Sequence, residues 1–212
     1  WWVAVSDGDT VTVSNVRNFT ISNDLYHNGP AWYVDPDGSN TFGNGSINYP
    51  FETIQHALDV AAMNDTVKVN VGTYAENLNV DESIVIVGIP EFLVKPIING
   101  GGVGRIITAG DNAAVSVHNL VLTNGYYNGQ GGGAIYSFNQ PLTVTHCDFI
   151  TNNVSGSGRG GAIEAHANNT LIKHCYFEDN HSLESHGGAL GLWGGIVDSC
   201  EFISNSASDN GG

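Results

Sequence analysis

In the second half of the chain the apolar residues come as pairs one place apart, then a skipped position, then another pair: Leu142-x-Val144 and Cys147-x-Phe149, before Asn and Gly interrupt. Alternation at every second residue marks a half-buried strand, and the polar interruptions mark bends. The phrase then repeats. His146-Cys147-Asp148-Phe149-Ile150-Thr151-Asn152 recurs as His174-Cys175-Tyr176-Phe177-Glu178-Asp179-Asn180 and as Ser199-Cys200-Glu201-Phe202-Ile203-Ser204-Asn205, so the Cys residues are 28 and 25 places apart. Each copy leads into a diglycine, a small residue and a branched one: Gly132-Gly133-Ala134-Ile135, Gly160-Gly161-Ala162-Ile163 and Gly187-Gly188-Ala189-Leu190.

A fixed period of about 20 to 50 residues makes each repeat one supersecondary unit, stable only when stacked on its neighbours. Glycine interrupts every copy and the 3.6-residue spacing is missing, so no helix of ten or more residues fits. A coil of about 25 residues holding three short strands, rising about 4.8 Å to the next, is a right-handed parallel β-helix. In such a coil each position sits above its own equivalent. Cys147, Cys175 and Cys200 are expected to form one buried column continued by Leu120, and Phe149, Phe177 and Phe202 a second continued by Leu122. Asn152, Asn180 and Asn205 fall at a bend where amides can hydrogen-bond coil to coil, and the diglycines supply positive φ or close backbone approach at another corner.

Earlier segments are less regular. Residues 1–31 read as a hairpin or as strands of a neighbouring module, with alternation around Val3 to Val5 and Thr10 to Val13. Residues 32–65 read as a cap: Pro50 near the start, with Phe51, Ile54, Leu58 and Ala61 at helical spacing, predicts one amphipathic helix over Pro50 to Ala62, set over the apolar end of the array. Residues 66–212 then supply the coils, with Val67, Ile84, Val115, Thr143, Leu171 and Ile196 expected at equivalent places on one sheet.

The run from Tyr33 through Gly88, with Asp-Pro-Asp-Gly, Pro-Phe-x-Thr-Ile-Gln-x-Ala-Leu and Gly-Thr-Tyr-x-Glu-Asn, resembles the amino-terminal cap and first coil of pectin-lyase-like β-helix proteins. The diglycine-Ala-Ile/Leu and Phe-x-x-Asn pairs resemble repeats of polymorphic outer-membrane proteins and related adhesin-like surface proteins. Together these stretches cover about 180 residues. The resemblance implies an exported, adhesive or architectural β-helix and names no activity.

Charge narrows the partners. Asp and Glu number 21 against 6 Lys and Arg, a formal charge of −15, which argues against nucleic acid and against polyanions unless a divalent metal mediates. No apolar run of 18 residues exists to span a membrane. The start at Trp1-Trp2 reads as a processed chain or an excerpt. Sequons at Asn18, Asn44, Asn64, Asn153 and Asn168 fit an extracellular, cell-surface glycoprotein. Asn180 also heads a sequon, but the ladder would bury the amide a glycan needs.

Candidate chemistry is sparse. Asp35-x-Asp37-Gly38-x-Asn40 resembles part of a calcium loop and lacks its bidentate Glu, and Asp-Pro-Asp-Gly is equally a turn. His118, His146 and His174 recur beside Asn or Cys, but zinc ligands come in close pairs, and neighbours along a strand face opposite ways. The Asn-Thr-Asp, Asp-Asp, Gly-His-Gly and Arg-Ile-Lys patterns of galacturonase-like enzymes are absent. Arg17, Arg105 and Arg159 lie in no lyase-like motif, and Asp148, Tyr176, Glu201 and Glu164 read as solvated-face residues. The expectation is an adhesin-like or structural surface protein with no catalytic or cofactor-binding residues. The alternative is a polysaccharide lyase, glycoside hydrolase or glycan-binding module. Gly211-Gly212 opens a further repeat, so either the native chain continues or terminal strands of another subunit, Trp1 to Ile21, add there head to tail into a filament.

Overall fold

Most inward positions along the coils are filled by apolar side chains, and the residues alternating with them in the longer strands face out. The computed structural model describes residues 2–6, 11–15, 27–209 and 211. Trp2–Ser6 and Val11–Asn15 pair antiparallel as a hairpin. From Ala31 onward the strands pair in parallel, each with its equivalent one coil away, building a parallel β-helix.

One seven-stranded sheet runs from Ala31–Val34 through Thr66–Asn70, Ile84–Ile89, Val115–His118, Leu142–Thr145 and Leu171–Lys173 to Ile196–Asp198. A six-stranded sheet holds Thr73–Tyr74, Ile97–Asn99, Val121–Thr123, Asp148–Ile150, Tyr176–Glu178 and Glu201–Ile203. A five-stranded sheet runs from Leu78–Val80 through Ile107–Ala109, Ile135–Ser137 and Ile163–Ala165 to Leu190–Leu192. A four-stranded sheet, Tyr126–Asn128 to Ser206–Ala207, joins the later coils. Their inner faces meet in one core that includes Ile86, Val117, Val144, Leu122, Phe149 and Ile163.

Like residues stack from coil to coil, and the stack opens to solvent at its last member, Phe202. Leu122, Phe149, Phe177 and Phe202 are in register, and the three rings stack at 4.8 and 4.9 Å between centroids, nearly parallel. Each stacked pair adds about 0.5–1.5 kcal/mol to what burial alone supplies. Cys147 and Cys175 are buried beside them, Cys200 is partly so, and all three are free thiols. The backbone amides after each Cys reach to the coil before, Tyr176 to Cys147 O and Glu201 to Cys175 O, which continues the column.

Two corners are made by single residues with left-handed backbone. Asn119, His146, His174 and Ser199 turn the chain from the seven-stranded to the six-stranded sheet at φ of 52–56°; Asn124, Thr151, Asp179 and Ser204 turn it again at 54–56°. This accounts for the skipped position in the repeat. At the diglycine corner Gly160 has φ +69°, and a Cβ on Gly161 would collide with the carbonyl of Gly188 one coil away.

The first coils depart from the expected register. Val67 pairs with Ile86, and Val115 pairs with Ile84 and Leu142, whereas Thr143, Leu171 and Ile196 form a different row. All six residues lie on the expected sheet but in three rows: Val67 stands two places, and Thr143, Leu171 and Ile196 one place, beyond the row of Ile84 and Val115. The cap helix is also shorter than its apolar spacing predicts, Ile54–Val60. Phe51 instead bridges to Val34, and Thr53 caps the helix. Glu76 completes the cap by accepting hydrogen bonds from the Ile54 and Gln55 amides at 2.9 Å each. The Gly-Thr-Tyr-x-Glu-Asn stretch is therefore a capping device: Tyr74 donates to Asn70 O at 2.9 Å, and Asn77 to Arg105 O at 3.0 Å.

Candidate functional site

Asn152, Asn180 and Asn205 form a continuous amide ladder, the first two buried and Asn205 half-buried. The Asn152 side chain donates to Asn180 Oδ1 at 3.0 Å, and Asn180 to Asn205 Oδ1 at 2.8 Å. Each amide also donates inward to a carbonyl, Leu122 O, Phe149 O and Phe177 O respectively. Asn180 is 0% exposed, so its sequon is closed to a glycan. Asn64 and Asn168 are exposed, Asn44 and Asn153 half-buried, and Asn18 lies outside the described residues.

The calcium-loop residues are spent on the cap. Asp35 accepts from the Asp37 amide and the Asn70 side chain, and Asn40 Oδ1 accepts from the Glu52 and Thr53 amides. Asp37 stands exposed. His146 and His174 sit on the outer surface with rings 5.0 Å apart, while the Cys column faces the core. Among the described residues no group of three or more His, Cys, Asp or Glu is arranged to hold a metal ion.

The chemistry gathers instead on the outer face of the five-stranded sheet. Along this sheet the residue one place past the inward branched position points out, giving the row Thr108, Tyr136, Glu164, Gly191. Two places further on come Phe138, His166 and Trp193. These rings form a second row, with Phe138 and His166 at 4.6 Å and His166 and Trp193 stacked at 3.8 Å. Phe138 is 42% and Trp193 50% exposed.

Glu164 lies beneath the rings, 4% exposed. It accepts from the Gly131 amide at 2.6 Å and the Arg159 amide at 3.0 Å, and pairs with His166 Nε2 at 2.6 Å. Arg105 is the cationic counterpart. It donates to Gly132 O, Gln130 O and Gly131 O at 2.8–2.9 Å, and its guanidinium sits 3.9 Å from the Tyr127 ring centroid and 4.5 Å from that of Tyr136. Burial pulls the Arg105 pKa down, against the opposing influence of Tyr127, Tyr136 and Glu164. Burial, and then the charge of Glu164, raises the Tyr136 phenol. Arg105 and Glu164 thus both bind the glycine loop 129–132, Arg105 at its carbonyls and Glu164 at the Gly131 amide. Arg159, exposed, places its guanidinium 4.8 Å from the Trp193 ring centroid. The result is a half-exposed aromatic strip with a carboxylate, an imidazole and a guanidinium along it, able to pack against C–H faces and to bond hydroxyls.

No protein-family model matches the chain, and no curated protein matches it. Among solved structures, a rhamnogalacturonan lyase is similar to it at a TM-score of 0.37 with 19% identity, over 84% of this chain and 52% of that one. The chain therefore spans about half the length of the lyase it matches. The expectation of a segment without catalysis is corrected: a solved structure similar to this chain is a polysaccharide lyase. A likeness at that level assigns no activity to this chain. The expectation also rested on reading Glu164 as a solvated acid, whereas Glu164 is buried, joined to His166 and two amides.

Proposed function

We propose that this chain is an extracellular, adhesin-like β-helix that binds an uncharged polysaccharide along the Tyr136, Phe138, His166, Trp193 strip. The observation that carries the proposal is the row Phe138, His166, Trp193, with one ring per coil and two of the three rings substantially exposed. Exposed aromatic rings rimmed by a few convergent polar groups favour a ligand that is apolar on its faces and hydroxylated at its edges. The coil rise of about 4.8 Å is comparable with one pyranose unit, so a sugar chain along the helix axis meets one ring per coil. The net charge of −15 favours neutral glycans over polyuronates.

Affinity electrophoresis through gels containing neutral and acidic polysaccharides tests this. The native chain is expected to be retarded by a neutral glycan, and W193A to migrate as in a blank gel. No retardation by any neutral polysaccharide, or unchanged retardation of W193A, refutes the reading. Assaying the same mixtures for reducing ends and unsaturated uronates separates binding from lyase or hydrolase action.

A further inference from the structure

Between Ile84–Ile89 and Ile97–Asn99 the chain makes a two-residue hairpin. Glu91 N donates to Val94 O at 3.1 Å and Val94 N to Glu91 O at 2.8 Å. The two central residues both have left-handed backbone, Phe92 at φ +47° and Leu93 at +70°. That is the signature of a type I′ turn, for which Asn-Gly is the preferred pair because a bulky side chain at positive φ is strained. Here the turn carries Phe and Leu, 98% and 97% exposed, followed by Val94 at 54%. Neither large side chain gains burial within the chain. A local rule broken with no return inside the fold points to a return outside it.

We propose that Phe92 and Leu93 form a tip that inserts into the surface of a choline-lipid bilayer. Three observations select this occupant. Both side chains are bare on nearly all sides, which suits immersion in an apolar phase better than contact with a flat protein surface. The base of the tip is acidic: Glu91 and Asp35 line a cleft of about 160 Å³ with Asn70, Val71 and Ile89. Phosphocholine headgroups present their cationic end outermost, where an acidic collar meets it. The overall charge of −15 repels anionic leaflets. Two inserted side chains give weak, reversible attachment, the regime of a single short anchor.

The test is flotation of the full chain with vesicles of phosphatidylcholine alone and of phosphatidylcholine mixed with phosphatidylglycerol. The native protein is expected to float with the neutral vesicles and less with the anionic ones. F92N/L93G, which gives the turn its preferred residues, is expected to melt at or above the native temperature and to lose partitioning by about a hundredfold or more; F92S alone loses about tenfold or more. Equal flotation of native and F92N/L93G protein overturns the proposal. So does a native chain that stays with neither vesicle, or one that floats as well with the anionic mixture. Binding to another protein that F92N/L93G abolishes, without flotation, likewise replaces the lipid with a protein pocket.

Discussion

Asn180 makes four side-chain hydrogen bonds in the amide ladder, and Asn180→Ala measures what that ladder contributes. In the native chain its Nδ2 serves Phe149 O at 2.9 Å and Asn205 Oδ1 at 2.8 Å, while its Oδ1 receives the backbone and side-chain N–H of Asn152 at 3.0 Å each. Alanine removes all four bonds. Asn205 Oδ1 keeps the Asn180 amide, and Asn152 Nδ2 keeps Leu122 O. The buried Asn152 N–H and Phe149 carbonyl lose those partners. Four lost hydrogen bonds at about 0.5–1.5 kcal/mol each put the expected loss at about 4 kcal/mol, a large share of the 5–15 kcal/mol typical of a domain. Urea unfolding followed by far-UV circular dichroism reads it as a shift in midpoint at constant slope. Asn180→Asp adds a second readout. Its ionised carboxylate would face two acceptors, so N180D is expected to gain stability as pH falls and the carboxyl regains a proton to donate. A loss below about 1 kcal/mol for N180A would mean that the amides merely fill space.

Thiol chemistry follows from the same stacking. Burial pushes the Cys147 thiol far above its ordinary value and that of Cys175 to about 12. Since the thiolate is the reactive form, an aromatic disulfide reagent at mild alkaline pH is expected to titrate Cys200 first and the other two only after denaturation. Fast reaction of all three in the folded protein would contradict the column. Glu76 gives a pH signature. Burial raises its pKa above the ordinary carboxyl value, although its amide bonds to Gln55 and Ile54 oppose the shift. A carboxyl that holds its proton more tightly when folded loses stabilising influence as pH rises through the unfolded and then the native value. E76Q should therefore flatten the dependence of melting temperature on pH in the weakly acidic range; an unchanged or steeper profile would refute the assignment.

What could be read from the residues was whatever the winding maps one-to-one onto vertical neighbours. Phe149, Phe177 and Phe202, and likewise Asn152, Asn180 and Asn205, lie at steps of 28 and 25 residues because each step is one coil. That one-to-one mapping breaks where loops vary in length. Val67 and Ile84 were placed in one row, but Val67 pairs with Ile86. Helical spacing from Pro50 to Ala62 overstated the helix because Phe51 is claimed by a bridge to Val34. The strip on the five-stranded sheet was missed for a different reason. Arg105 and Glu164 are 59 positions apart and belong to no local motif, and only the winding joins both to the loop 129–132. A signal was present all the same. An aromatic or imidazole ring stands three places after each branched residue of the diglycine phrase: Phe138 after Ile135, His166 after Ile163, Trp193 after Leu190.

The amide ladder also has a direction. Gly125 N, Asn152 Nδ2 and Asn180 Nδ2 all donate toward the next coil, and each Oδ1 accepts from the one before. An extra copy of a coil spliced between two existing ones would find a donor on one side and an acceptor on the other, and could join without a seam. The same coil inverted would set N–H against N–H. Growth of this scaffold by duplication is therefore permitted with a single polarity, a constraint written in side-chain amides rather than in the backbone.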